Sequence, residues 1–590
     1  MNVIENLCNK KYAFPLLLLV LFIYMSLLSL QGFDLWDSGF CLSGYQQVFN
    51  DPSSCELNFS FYLSELIGGF FNFIFPSGGI FYFRILNNIV LLLCVVIAYY
   101  LLKDFMPRSL LFIGMAIYIV YNCSLGVIVL HHNCLSQLFA LLAVFFLMKG
   151  LRKDSLKWFC LSGLILGLNV FIRLPNVTLF ILFSMVLLHA YCKKIPFKTW
   201  IGYLAIMIFG ALIGVLCVIG LLYFFNHGDV MKNSLENLFL ASGSGESSHS
   251  LKSLLRMYST IYISILVYMC LFLLIWYLYT IVKNIKNKKI RLICNIFYAV
   301  FILAVIYQIA YRSDYMTVMS ELCYALAFLS SLYLLGSCRV DYNLKLLLIC
   351  NLLVMVFNPL GSDFYVNFTS NCLTLSFSII LYAVNEVKPF QCSIVSDDKT
   401  RFEVTFSPCD IRRITKFTMG VIILLSVYNT LIGAYCDDGL RIYKTYEVHH
   451  PLAKDIYTTE KTAQIVDDLL SELNKYVSKD DRLLVYDALP IVNYLTQTRP
   501  YVPCAHVAYL FSEQLLDAKL SAAERNVEGL PVVLINKGNT WGGFHEPNEN
   551  AVEKPMDKAM NRFLEKHHYT VAWENDYVMI MIPEGFSKKP

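Results

Sequence analysis

The chain has 590 residues, 57% of them hydrophobic and only 15% charged, and a formal net charge of +4. Soluble domains carry roughly 25% charged residues, so this composition excludes an ordinary soluble protein and specifies a polytopic membrane protein. The small positive excess fits basic membrane-flanking loops and offers no nucleic-acid surface.

The first apolar run extends from Ala13 to Leu30, long enough to cross a bilayer. Lys10 and Lys11 precede it, which places the N-terminus in the cytoplasm. No small-residue cleavage site follows, so a retained helix is expected instead of a signal peptide. An acidic segment, Gly32-Phe-Asp34-Leu-Trp-Asp37-Ser-Gly39, then emerges on the far side. The stretch 56–76 is apolar, but counting it as a span would invert every later loop against the positive-inside rule. It is therefore expected as an amphipathic or re-entrant helix on the outer face.

Further apolar runs cover roughly 80–102, 109–130, 134–149, 158–173, 175–191, 199–225, 259–282, 292–311, 316–336, 346–359, 368–385 and 417–435. With 13–31 they make about thirteen helices, several shorter than the ~20 residues of a perpendicular span. The loops assigned to the cytoplasm are rich in Lys and Arg, from Lys103 and Arg108 through to Arg412, Arg413 and Lys416. The opposite loops hold few basic residues: Arg84, Arg173, Lys232, Lys252, Arg256 and Arg312. An odd helix count leaves the C-terminal region outside.

Beyond Cys436 charges become frequent and apolar runs shorten. Strands are predicted over 481–486, 531–536, 569–573 and 577–582, with helices over 488–496 and 556–566. The organisation read from the sequence is a membrane domain over 1–435, including an outer loop over 32–79. An extracytoplasmic α/β domain follows over 436–590. The 19 cysteines lack CxxC or His/Cys ligand spacing, so no disulfide framework or zinc site is indicated. No Walker loop or dinucleotide fingerprint is present.

Chemistry on the outer face would fall to a few polar residues. Asp34 and Asp37, spaced i, i+3, would share one face of a helix, and an ionised carboxylate can take a proton from a hydroxyl. His131, His132 and Asn133 sit at an outer hinge, where an imidazole could hydrogen-bond a sugar or pair with a phosphate. Two adjacent histidines do not complete a divalent-metal site. Arg84, Arg173 and Arg312, with Asp314 beside the last, lie at outer helix ends. The guanidinium fork suits a phosphate. The alternative for all of them is a solvated helix end or a headgroup contact.

The order of these features resembles the GT-C glycosyltransferases. Gly39-Phe-Cys-Leu-Ser-Gly-Tyr-Gln-Gln-Val48 is similar to the helix that follows their acidic motif, and Phe81-Tyr-Phe-Arg84-Ile-Leu to the start of their second helix. Tyr494-Leu-Thr-Gln-Thr-Arg-Pro500 resembles a turn found after the membrane core in many of them. The nearest likeness is to glycosyltransferase family 39, which holds protein O-mannosyltransferases and lipid A aminoarabinose transferases. That resemblance implies Asp37 as the catalytic carboxylate. Ser38 stands where the family commonly has Glu, and His132 or Asn133 where an acidic residue is common.

The expected function is transfer of a sugar from a polyprenyl-phosphate donor to a hydroxyl of a glycolipid, glycan or protein. Asp37 would be the general base. Asp34 would be a second catalytic carboxylate. Arg84, His131, His132, Asn133, Arg173, Arg312 and Asp314 would hold the donor phosphate or substrate. No cofactor is called for with certainty, and a divalent metal is the minor alternative. The expected location is a bacterial inner membrane with the C-terminal domain in the periplasm. The alternatives are a flippase for lipid-linked glycans, which predicts midplane charges and related halves, and a non-catalytic envelope assembly protein.

Overall fold

A chain segment in hydrocarbon must satisfy its own backbone polar groups, which a long apolar run does as a helix. In the computed structural model a helix occupies each of the thirteen predicted segments. Residues 2–243, 251–311, 315–360, 370–396, 400–510, 512–547 and 554–587 are described. Arg312 and Asp314 lie outside them.

Among the described residues seven helices are long and apolar enough to cross a membrane: Gly79–Leu102, His132–Lys153, Leu174–Lys193, Phe197–Phe224, Lys252–Asn284, Met316–Gly336 and Pro408–Ile432. Four further apolar helices are shorter: Ala13–Ser29, Arg108–Ser124, Leu156–Ile172 and Tyr342–Phe357. Ala13–Ser29 shows how such a helix divides its surface. Leu21 and Met25 are buried against the bundle, while Leu16, Leu19, Val20, Ile23 and Leu27 are exposed as a greasy outer face.

Helices Leu156–Ile172 and Phe197–Phe224 cross at very short range. A Cβ on Gly163 would lie 1.8 Å from the Met207 carbonyl oxygen, and one on Gly210 would lie 2.1 Å from that of Cys160. Gly167 and Gly214 meet the opposite backbone in the same way. Each helix thus carries a Gly-xxx-Gly pair, the packing solution available where lipid offers no hydrophobic drive between helices.

The outer loop is helical and largely buried. Asp37–Gln47 is an α-helix, Pro52–Phe61 a 3-10 helix and Tyr62–Ile74 an amphipathic α-helix. This agrees with the reading of 56–76 as amphipathic helix and not a membrane span. Several features departed from expectation. Helices also form over Asn2–Cys8 and Gly228–Gly243. An antiparallel hairpin, β1 (Phe390–Ser396) and β2 (Thr400–Phe406), precedes the last long helix. That helix begins at Pro408, ahead of the predicted 417, because the Ser407 side chain accepts the Cys409 amide as its cap.

The C-terminal region opens with the short antiparallel pair β3 (Tyr446–Glu447) and β4 (Tyr457–Thr458). A five-stranded sheet follows, made of β5 (Arg482–Tyr486), β6 (Arg499–Pro500), β7 (Val532–Asn536), β8 (Thr570–Glu574) and β9 (Val578–Ile582). Its spatial order is β6-β5-β7-β9-β8. The first three strands run parallel and the last two join antiparallel. β5, β7, β8 and β9 match the predicted strands closely. Helices Glu460–Leu473 and Glu513–Asn526 were not predicted.

Candidate active site

The end of helix Ala13–Ser29 leaves carbonyls without intrahelical partners. Two arginines meet them. Arg84 donates through Nη1 to the Ser29 carbonyl at 2.8 Å and through Nη2 to the Gly32 carbonyl at 2.8 Å. Arg441 donates to the Leu28 carbonyl at 3.3 Å. Positive charge at a helix C-terminus is also favoured by the helix dipole. Arg84 is only 1% exposed. The Arg84 guanidinium is enclosed and clamps the entrance to the acidic segment.

The same segment is locked from the C-terminal side. Residues 30–32 pair with β4, with the Gly32 amide donating to the Tyr457 carbonyl and the Tyr457 amide to that of Leu30, both at 2.8 Å. The Asp437 carboxylate accepts the Phe33 amide at 2.8 Å and the Thr458 hydroxyl at 2.8 Å. Lys444 Nζ lies 3.1 Å from its other oxygen. Both charged side chains are fully enclosed. Burial pulls the Lys444 ammonium down and the Asp437 carboxyl up, and each is opposed by the partner's charge.

Asp34 and Asp37 have different surroundings. Asp34 is 2% exposed. Its oxygens accept the Trp36 amide at 2.9 Å and the Ser38 amide at 2.6 Å. It thereby satisfies an orphan donor in the first turn of Asp37–Gln47. Burial raises its carboxyl despite those two amides and the nearby Arg84. Asp34 builds the turn. Asp37 opens the helix, where the dipole favours a carboxylate, and is only half-buried. The Tyr435 hydroxyl donates to Asp37 Oδ2. Burial and the Asp37 charge push the Tyr435 phenol well up, so it remains a donor.

Helix Asp37–Gln47 sits directly on the C-terminal domain. A Cβ on Gly39 would lie 2.1 Å from the Ile491 amide nitrogen, so only glycine permits this approach. Ser43 donates to the Pro490 carbonyl at 3.3 Å and Gln46 to that of Tyr494 at 3.1 Å. The Tyr494–Pro500 turn thus belongs to the support of this helix. Ion pairs Arg482–Asp51 at 2.6 Å and Lys519–Glu56 at 2.9 Å fasten the rest of the outer loop.

The second predicted group gathers at neighbouring helix ends. Arg173 follows helix Leu156–Ile172 in extended backbone and is 3% exposed. It donates to Asn133 Oδ1 at 3.4 Å and to the Leu360 carbonyl at 3.0 Å. The His132 ring stacks on Phe61 with centroids 3.8 Å apart. His131 turns its Nδ1 toward the Val129 carbonyl at 3.1 Å. Burial holds its imidazole down at about 4, so it is neutral at pH 7.

The two groups share a border, the 125–131 loop. A Cβ on Gly126 would lie 2.4 Å from Tyr435 Cβ, and the Leu130 carbonyl accepts the Tyr45 hydroxyl at 2.7 Å. Among the described residues no group of three or more His, Cys, Asp or Glu is placed to hold a metal ion.

Tyr435, Asp437, Arg441 and Lys444 were not singled out in the sequence. Their signal was position: a Tyr-Cys-Asp-Asp run ends the last apolar helix on the side where Asp37 emerges. No protein-family model matches the chain, and no curated protein matches it in sequence.

Proposed function

We propose that the chain is a membrane glycosyltransferase that uses a polyprenyl-phosphate sugar. It crosses the membrane thirteen times, with its N-terminus in the cytoplasm and its outer loop and C-terminal domain in the periplasm of a bacterial inner membrane. The observation that carries this reading is Asp37: a half-buried carboxylate at a helix N-terminus, hydrogen-bonded by the half-buried Tyr435 phenol, on a helix that packs against the C-terminal domain. The pairing of 30–32 with β4 supports the topology, since it keeps the outer loop and the C-terminal domain on one side.

In this reaction Asp37 takes the proton of the acceptor hydroxyl. The acceptor oxygen attacks the anomeric carbon as the bond from that carbon to the phosphate oxygen breaks. Polyprenyl phosphate departs and the anomeric centre inverts. The Tyr435 hydrogen bond holds the carboxylate toward the acceptor, a positioning contribution. Arg173, with Asn133 and His132, holds the donor phosphate in place. Asp34 and Arg84 act through the shape of the segment.

The test is purified full-length protein with a panel of polyprenyl-phosphate sugars and glycan, glycolipid and peptide acceptors. Acceptor-dependent release of polyprenyl phosphate by wild type, lost in Asp37→Asn, supports the reading. Equal turnover by Asp37→Asn removes Asp37 from the chemistry, and no release from any donor removes the enzyme.

A further inference from the structure

Trp36, the residue before Asp37, is part of an aromatic cluster that spans the outer loop and the C-terminal domain. Its ring meets His506 edge-on at 5.2 Å and Trp541 edge-on at 5.1 Å. His506 stacks on Tyr509 at 4.3 Å, and Tyr509 meets Phe40 at 5.2 Å. Trp36 and Phe40 belong to the acidic segment and its helix; the other three rings come from the C-terminal domain. The Trp36 indole N–H donates to Thr540 Oγ1 at 2.7 Å, which fixes its plane.

Two observations set this cluster apart from a packed core. Trp541 is 41% exposed and Tyr509 39% exposed, so both rings present surface outward. His506 is 1% exposed, yet among the described residues neither ring nitrogen has a hydrogen-bond partner. A buried imidazole with an unused donor and an unused acceptor is costly unless something supplies the partners. The rim is polar. Asn539 is exposed and accepts the Trp541 amide at 2.9 Å. Asp438 and His545, 3.8 Å apart, have side chains 75% and 47% exposed.

Exposed aromatic faces beside polar rim groups match the two-sided chemistry of a pyranose ring. Its axial C–H face packs on an aromatic ring, and its hydroxyls both donate and accept. An acidic, histidine-bearing rim suits such a ligand better than it suits lipid tails. We propose that the Trp36–Trp541–Tyr509–His506 cluster is a binding site for a pyranose unit of a glycan acceptor, one residue along the chain from Asp37. This deepens the transferase reading and rests on it for the use made of the bound sugar: the acceptor is a carbohydrate.

The experiment measures binding separately from transfer. Full-length protein in detergent, carrying Asp37→Asn to prevent turnover, is titrated with a panel of soluble bacterial-type oligosaccharides, and tryptophan fluorescence is read. Saturable binding is expected, weakened about tenfold or more by Trp541→Ala, as for loss of an aromatic anchor. Trp541→Phe should restore part of it. Tyr509→Ala provides an independent second variant, and unchanged helical circular dichroism reports intact folding in each. Binding by none of the glycans, or equal binding by Trp541→Ala and Tyr509→Ala, overturns the site. So does a tryptophan signal that responds only to phospholipid vesicles, which makes the cluster a membrane anchor. If glycans bind as described but wild type releases no polyprenyl phosphate, the transferase reading fails and the sugar site stands. If release is normal and the aromatic variants keep wild-type acceptor KM, the reverse holds.

Discussion

The two outer-face regions are built on opposite plans. Around residues 29–47, groups far apart in the chain converge, and the charges of Arg84, Arg441, Asp437, Lys444 and Asp34 are tied to backbone or to each other. Asp37 is left as the half-open carboxylate. Around 131–133 and 173, the residues come from adjacent helix ends, and Arg173 meets Asn133 at 3.4 Å. The first region is a rigid mount for one acid; the second is a set of donors at the edge of the bundle. Under the proposed reading, the first plan aims a base and the second holds the donor phosphate.

The comparison can be broken at its strongest point first. Asp37→Asn should lower kcat for transfer by about 100- to 10,000-fold, the range for loss of a general base, with donor KM little changed. Arg173→Ala should instead act mainly on donor KM. Steady-state kinetics that reverse this pattern would merge the two regions into one function. Asp437→Ala strands the enclosed Lys444 ammonium and should cost about 3–5 kcal/mol of stability, read as thermal unfolding in detergent. If the loss is no larger than for an exposed pair such as Lys475–Glu472, with Lys475 59% exposed, the mount is not rigid.

Acid should separate the regions from ordinary surface. The folded state holds His131 and His506 near 4 against an ordinary 6.5. The unfolded chain therefore binds the extra protons first as pH falls. Their contribution is complete above pH 6.5 and lost as pH drops through 6.5 to about 4. His506→Phe should flatten that part of the stability profile, which a melting series in pH steps would register. The smallest effect is expected for Asp34→Ala. Loss of a helix-starting cap costs about 1 kcal/mol, and catalysis should fall far less than in Asp37→Asn. Matching activity losses in the two variants would contradict their division of labour.

Hydropathy made the helices legible because each run must bury its backbone by itself. It could not show that helices 156–172 and 197–224 meet through paired glycines, since that depends on which helix lies opposite. The hairpin 390–406 carried a readable signal, alternating apolar residues in Phe402-Glu-Val-Thr-Phe406 after an Asp-Asp-Lys turn. Helix 460–473 carried one too: Thr459 as a cap and apolar residues at 463, 466, 469, 470 and 473. The acidic motif was visible, but its asymmetry was not. Asp34 and Asp37 differ only through partners elsewhere, and Tyr435 lies 398 positions from Asp37. Arg84 reads as a phosphate ligand from its position, and its hydrogen bonds to the carbonyls at the end of the first helix could not be read from the sequence.

The hydrogen bond from Phe33 to Asp437 spans 404 positions, and it has a consequence in time. The first helix and its acidic turn leave the ribosome early, whereas β4 and the glycine-backed turn at Ile491 come from the last part of the chain. Until that part is made, the turn that carries Asp37 lacks the partners that fix it. A truncated chain would keep its early helices and lose the Asp437 and Tyr457 contacts to residues 30–33. Closing so distant a contact is slow, so the surroundings of Asp37 are completed only after the rest of the chain.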